Sequence, residues 1–318
     1  MADRLMLLDT ASLYFRAFYG VPDSIRRADG TPVNAVRGLL DMIARLVTDF
    51  EPTHVVACWD DDWRPHWRVD LIPSYKAHRV ATLVPAGPDV EETPDGLVAQ
   101  VPLIREVLGL CGIPIVGVAA HEADDVIGTL ATQAGMPVDV VTGDRDLFQL
   151  VDDDAGVRII YTARGMSRLE LVTDEVVVEK YGIEPSQYSD FAVLRGDSSD
   201  GLPGVAGIGE KTAAGLLGDF GSLDAMLVVA SGDPDVTDAA PRMSATMRAK
   251  LTAAHDYLAV APTVVNVVRD LDLPDADALG ARLAPVAGAA RESLERLATE
   301  WNLGGAVPRV LAALDRAA

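Results

Sequence analysis

Cysteine is nearly absent from this 318-residue chain, and the two present, Cys58 and Cys111, can build neither a disulfide framework nor a four-cysteine zinc site. A reducing compartment is the default that follows. No apolar run approaches the ~20 residues that span a bilayer. Met1 to Leu8 carries one arginine, one aspartate and no small-residue cleavage site, so neither membrane insertion nor secretion is expected. There is no Gly-x-Ser-x-Gly elbow and no Cys/His constellation, so the usual signatures of nucleophilic hydrolysis are missing. Lysine is scarce: Lys76, Lys180, Lys211 and Lys250 stand against 23 arginines, a bias read as genome composition. Basic charge as a whole is short, with 27 Lys and Arg against 48 Asp and Glu and a net charge of −21. That balance argues against the basic surface by which nucleic-acid proteins usually neutralise phosphate. An acidic solvated surface would serve solubility alone, whereas carboxylates converging on metal ions would reverse the local field. Position decides between them.

What is present is an ordinary globular composition, 49% hydrophobic and 24% charged, enough for one large domain or two modest ones. Leu5 to Leu8, Val55 to Trp59, Ile113 to Val118, Val138 to Val141 and Val157 to Ile160 read as buried strands. Val36 to Val47 and Val101 to Leu108 carry apolar residues at helical spacing between them. The alternation predicts an α/β fold with a mostly parallel sheet. Beyond about residue 180, short helices punctuated by Gly and Pro replace the strands. Ser231 to Pro241 reads as a polar loop, and an Ala-rich helical tail begins near Glu292.

Carboxylates follow the strands. Asp9 ends the first, Asp60 the second, and Asp144 with Asp146 comes after Val138 to Val141, so three strands deliver aspartates to the edge where parallel sheets build sites. A lone aspartate there is more often a helix cap or turn former; three in succession weigh considerably against that reading. Glu122, Asp124 and Asp125 crowd the first turn of a helix marked by Ala123, Val126, Ile127, Leu130 and Ala131. A helix dipole accommodates one or two such charges, while three repel one another unless a cation intervenes. Asp197 and Asp200 sit in Gly196-Asp197-Ser198-Ser199-Asp200-Gly201, which alone would be a loop. An oxygen-only set of nine, with His121 read as peripheral, suits Mg²⁺ or Mn²⁺ and fits a two-metal site for in-line phosphodiester displacement.

Two further stretches carry chemistry. Gly204-Val205-Ala206-Gly207-Ile208-Gly209-Glu210-Lys211-Thr212 precedes a helix, so its backbone can approach a phosphate, Lys211 adding a point charge. It follows no strand and lacks Walker spacing, which leaves a hairpin of the helix-hairpin-helix kind that positions duplex backbone without reading sequence. Trp63 to Arg79 interleaves Trp63, Trp67 and Tyr75 with Arg64, Arg68, Lys76 and Arg79, a pattern that suits single-stranded nucleic acid. The two tryptophans, four apart, equally suit an amphipathic turn packed on the core.

These residues resemble the bacterial 5′ nucleases, the flap endonuclease and 5′–3′ exonuclease domains that include the amino-terminal domain of DNA polymerase I. The motifs that carry the resemblance are Asp9 with Arg16, Trp59-Asp60, Tyr75-Lys76-Ala77-His78-Arg79, Glu122-Ala123-Asp124-Asp125, Thr142-Gly143-Asp144-Arg145-Asp146, Gly196 to Asp200 and Gly204 to Ala213, in that order over about residues 4–275. The resemblance implies a PIN-like nuclease core over 1–180 with a helical arch in 61–100. It also implies a helix-three-turn-helix duplex-binding element over 181–265 and a C-terminal helical segment, 266–318, packing back on the core. By motif, Asp60, Glu122 and Asp124 would hold one ion, with Asp9 acting through water. Asp144, Asp146 and Asp197 would hold a second, with Asp124 near both and Asp125 and Asp200 as outer ligands. Lys76 and Arg79 would contact the scissile phosphate and Tyr75 would stack on a terminal base. Arg16, Gly204, Gly207, Gly209, Lys211 and Thr212 would contact DNA, with K⁺ in the glycine hairpin. Substrates would be 5′ flaps, nicked or gapped duplex and RNA-primed DNA, in the cytoplasm, beside a polymerase and a ligase, the enzyme being free-standing.

Three departures stand out: Thr10 where the family has Gly, Gly201 where it has Asn, and a long Val80–Gln100 with Asp89, Glu91, Glu92, Asp95 and no basic residue. They predict a looser Asp200 loop and an arch that is weakly ordered or poor at guiding a 5′ strand. RNA cleavage, non-catalytic junction binding and small-molecule phosphate hydrolysis are the competing readings. The duplex-type hairpin, the complete carboxylate set and the Trp/Arg stretch, respectively, speak against them.

Overall fold

A computed structural model describes residues 2–85, 87–231 and 243–317. Residues 232–241 of the expected polar loop lie outside the described residues. A six-stranded sheet with order β5-β2-β1-β6-β7-β8 organises the first half. Its strands are β1 (Leu5–Asp9), β2 (His54–Cys58), β5 (Ile115–Val116), β6 (Val138–Thr142), β7 (Val157–Tyr161) and β8 (Glu170–Val172). All neighbours run parallel except the antiparallel edge pair β7–β8. β1 shows why: Leu5 and Leu7 enter one core and Met6 and Leu8 the other, so both faces are covered. On one face lie α1 (Thr10–Gly20), α2 (Asn34–Phe50) and α5 (Val101–Leu110); on the other lies α6 (Ala123–Gln133).

The segment expected as a helical arch is built differently. It comprises a short α3 (His66–Leu71), one 3₁₀ turn at Ala77–Arg79, a two-stranded hairpin of β3 (Val80–Thr82) and β4 (Val90–Glu91), and a single turn α4 (Asp95–Val98). Pro73, Pro85, Pro88 and Pro94 interrupt any long helix, and Val80, Thr82, Val84 and Val90 favour extended backbone. Nor is the segment loosely held. Asp89 is buried and accepts Nη1 of Arg64 at 2.5 Å and the Val84 N–H at 2.9 Å, while Trp63 donates Nε1–H to its carbonyl at 2.7 Å. Gln100 is buried too, its Oε1 accepting the Ala35 and Val36 N–H groups at the start of α2 at 2.9 and 3.2 Å. Asp89 and Gln100 are thus inward-facing anchors, which charge counting could not show.

After β8 come α7 (Asp174–Tyr181), α8 (Tyr188–Arg195), α9 (Glu210–Phe220), α10 (Leu223–Ser231), α11 (Ala245–Ala253) and α12 (His255–Val265). The chain then returns to the sheet: Val55 donates to the Ala281 carbonyl and Leu283 to that of Thr53, both at 2.9 Å, beside β2. α13 (Gly288–Glu300) packs on α5 and α14 (Ala306–Ala317) on α2. Among the described residues no single helix is long and apolar enough to cross a membrane.

Candidate active site

The carboxyl edge of the sheet is where the backbone turns from strand to helix, and the aspartates there first do local work. Asp9 caps α1, Oδ1 accepting the Ser12 N–H at 3.1 Å, while Oδ2 accepts the Thr142 hydroxyl at 2.7 Å from the neighbouring β6. Asp60, two residues past β2, accepts the Ala123 N–H at 2.8 Å and so ties β2 to the start of α6. The Thr142 hydroxyl accepts the Asp144 N–H at 2.9 Å, setting the turn after β6. These ties bring Asp9, Asp60, Glu122, Asp124 and Asp144 into one cleft of about 330 Å³, whose wall also carries Lys76, Arg79, Trp63 and Glu91. Asp146 and Asp200 join Glu122 and Asp124 in a small adjoining recess.

The floor of this cleft is short of countercharge. Burial, then repulsion from Asp60, pushes the Asp9 carboxyl up to about 7. Burial with Asp9 and Asp144 nearby raises Asp124 well above the carboxylate range, and burial with Asp144 and Asp200 nearby does the same to Asp146. Carboxylates held together at such cost are a donor set that divalent cations fit. Among the described residues no three of them converge on one ion-sized point.

Other members of the predicted set are engaged elsewhere. Asp125 does not line the cleft. Its oxygens accept Arg68 Nη1 and Nη2 at 2.9 and 2.7 Å, the Glu122 N–H at 3.3 Å and the Val268 N–H at 2.9 Å, which satisfies a buried carboxylate and leaves nothing for an outer metal. Asp197 lies outside both recesses, accepting Arg195 Nη2 at 3.0 Å and the Ser199 N–H at 2.8 Å. Tyr75 cannot stack on a base: it is buried, and its hydroxyl donates to Glu122 Oε1 at 2.7 Å. Arg64 and Arg68 are equally internal, leaving Lys76, bonded to Glu122, and Arg79, 2.9 Å from Asp200, as the cations of that stretch facing the cleft.

The Asp200 loop is also tighter than its glycine suggested. Lys76 donates its backbone N–H to the Asp200 carbonyl at 2.9 Å, and the Ser74 hydroxyl donates to that of Gly201 at 2.7 Å. Gly201 has φ +71°, and a Cβ there would lie 2.0 Å from the Ser74 carbonyl oxygen, so only glycine allows the arch base to close on this loop. Gly204, φ +64°, is similarly pressed, its missing Cβ falling 2.5 Å from the Gly196 nitrogen. The hairpin thus folds back on the end of α8 and presents Gly207, Gly209, Lys211 and Thr212 outward, at the start of α9. Arg16, also on α1, does not line the cleft and donates Nη1–H to the Ala163 carbonyl at 3.3 Å.

Sequence reasoning missed several contributors. Ser12 and Phe15 line the cleft one and two turns into α1, as Asp9 followed three residues later by Ser12 could have suggested. Glu91 reaches it from β4, and Lys250 donates Nζ–H to the Gly207 carbonyl at 2.8 Å; neither position carried a local signal.

Comparison with known proteins bears on this geometry. Residues 4–182 match the family model described as "5'-3' exonuclease, N-terminal resolvase-like domain" and residues 183–284 that described as "5'-3' exonuclease, C-terminal SAM fold". The chain belongs to the 5′–3′ exonuclease family. A 5′–3′ exonuclease of Streptomyces coelicolor is 59% identical over 309 residues, covering 97% of this chain and 99% of the relative. DNA polymerase I of Mycobacterium tuberculosis strain H37Rv is 47% identical over 227 residues, covering 70% of this chain and 24% of that much longer protein. A crystal structure of the T5 D15 protein co-crystallised with metal ions shares the fold, with a TM-score of 0.63 at 16% identity over 98% of this chain and 100% of that one. The protein is therefore a phosphodiester hydrolase of the 5′ nuclease class on a PIN-like α/β core.

Proposed function

We propose that this 5′ nuclease uses two divalent ions, Mg²⁺ or Mn²⁺, to hydrolyse DNA at flaps, nicks and RNA-primed ends during replication and repair. The carrying observation is the single cleft into which β1, the turn after β2, the start of α6 and the turn after β6 direct Asp9, Asp60, Glu122, Asp124 and Asp144. Asp60, Glu122 and Asp124 would hold one ion, and Asp144 with Asp146 a second. When bound, such ions supply a hydroxide nucleophile at neutral pH and neutralise the leaving oxygen. The chain's own part is positioning. Asp9, held by Ser12 and Thr142, orients water. Lys76 and Arg79, fixed at the arch base by the Asp200 loop, give the scissile phosphate two cations. No nucleophilic side chain is needed.

The glycine hairpin, with Lys211 and Thr212, grips duplex backbone. A K⁺ ion there would use carbonyls other than that of Gly207, which already receives Lys250. The reading places the enzyme in the cytoplasm beside a polymerase and a ligase, and gapped duplex falls within its range.

The test uses 5′-labelled flap, nicked and single-stranded DNA with Mg²⁺, with Mn²⁺ and with chelator, alongside Asp124→Asn. Metal-dependent release of the flap strand is expected, reduced by at least about 10³-fold in the variant, as several kcal/mol of transition-state stabilisation disappear. Product length separates junction cleavage from mononucleotide trimming. Binding without cleavage under every metal condition would overturn the catalytic reading in favour of a junction binder.

A further inference from the structure

One carboxylate in the cleft comes from neither the sheet edge nor α6. Glu91 stands on β4, in the long segment between the arch base and α5, and reaches the cleft beside Lys76, Arg79 and Trp63. The segment holds it there firmly. β4 pairs with β3 so that Glu91 lies opposite Val80, the residue after Arg79, and Glu92 donates its N–H to the Arg79 carbonyl at 2.8 Å. Two residues before Glu91, Asp89 is fixed by Arg64 and the Val84 N–H, and its carbonyl by Trp63. The hairpin is therefore tied on both sides of Glu91 to the arch base, which carries the two cations of the cleft.

Glu91 itself has no countercharge of its own. It is half-buried, and among the described residues it pairs with neither cation: Lys76 meets Glu122 and Arg79 meets Asp200. Burial raises its carboxyl above the usual range; Arg79 and Lys76 pull it down, while Asp60 and Glu122 push it up. Those four are the groups that a scissile phosphate and its nearer ion would meet. The next residue, Glu92, is exposed and lines no part of the cleft. A fixed negative charge in a partly buried site repels a bare phosphate strongly, and a divalent ion between the two turns the repulsion into attraction.

We propose that Glu91 is a specificity-determining residue of the cleft, one that repels a substrate phosphate arriving without divalent ions and admits it once ions occupy the Asp60–Glu122 side. The inference rests on the nuclease reading above and adds a condition to it, that ions enter before the phosphate. Lys76 and Arg79 attract phosphate whether or not ions are present, and a strand drawn into the ion-free cleft would occupy it without reacting. The Glu91 charge offsets that attraction from the same hairpin base that positions the two cations. Removing the charge therefore strengthens binding in the absence of metal, the opposite of what removing a metal ligand does in its presence.

The test measures affinity of the full chain for 5′-flap DNA in chelator and in Ca²⁺, a hard ion that takes oxygen ligands, for the wild type, Glu91→Gln and Glu92→Gln. The two variants change the net charge equally. Glu91→Gln should bind about tenfold tighter than the wild type in chelator, the effect of one charge facing a phosphate in a partly buried site, and Glu92→Gln within about twofold of it. The gain in affinity on adding Ca²⁺ should shrink accordingly in Glu91→Gln alone. Unchanged affinity of Glu91→Gln in chelator would overturn the proposal; if Ca²⁺ binding to the DNA-free protein weakened at the same time, Glu91 would be a metal ligand instead. Equal tightening in both variants would reduce the effect to net charge and overturn it as well. Absence of cleavage by the wild type in Mg²⁺ and Mn²⁺ would overturn the nuclease reading, whereas the affinity comparison is scored without cleavage and fails separately.

Discussion

The floor of the cleft and its arch-side wall are made of the same residue types and are built on opposite terms. On the floor, Asp124 is held against Asp9, and in the adjoining recess Asp146 is held against Asp144 and Asp200, all pushed toward protonation by burial and repulsion. On the wall, Glu122 and Asp125 are equally buried, yet Arg68 bridges them, Tyr75 and Lys76 bond to Glu122, and backbone N–H groups complete Asp125. The wall network fixes geometry and holds Glu122, which also lines the cleft, in place. The floor carboxylates are held against repulsion instead. How a carboxylate is stabilised here follows from whether the chain itself supplies its countercharge.

The comparison can be broken at the wall first. Arg68→Met should cost about 3–5 kcal/mol of stability, because it strands two buried carboxylates. Urea unfolding would measure it, and a loss below about 1 kcal/mol, the scale of a surface pair, would show that the network is dispensable.

The floor should respond in the other direction. The folded-state pKa of Asp9, about 7, is raised above its ordinary value of 3.8, so the folded protein keeps a proton that the unfolded chain has lost. Metal-free stability should therefore fall as pH rises from about 4 to about 7, by roughly 4 kcal/mol from this residue, and level off above. Denaturant unfolding in chelator at pH 5 and pH 7.5 should show that slope diminished in Asp9→Asn, and divalent metal should restore stability at the higher pH. An unchanged slope in the variant would mean that the repulsion resides elsewhere.

The smallest effect sharpens the junction between the two regions. Gly201→Ala should cost about 1–2 kcal/mol from its left-handed backbone, with more from the Ser74 carbonyl contact. It should lower kcat by moving Lys76 and Arg79, with little change in duplex affinity measured in chelator. Equal losses in both would place Gly201 in the DNA grip instead.

Much of this was legible beforehand because it is periodic or local. Strand runs, the i, i+3, i+4 spacing of α6 and the aspartates after β1, β2 and β6 all lie within a few residues of the signal that marks them. The errors share a cause. Tyr75, Arg64, Arg68 and Asp125 have side chains that chemistry permits in a site or in a core, and Asp89 reads as solvated charge until Arg64, 25 residues away, is found beside it. Gly201 looked permissive because its crowding comes from Ser74, across the fold.

By itself, then, the sequence determined the family, the parallel sheet and the carboxyl edge where its aspartates gather, since pattern and motif act over short distances along the chain. Only the tertiary structure decided which buried carboxylates the chain engages fully, as it does Asp125, and which still face the cleft, because desolvation and countercharge depend on neighbours that the chain order does not place side by side.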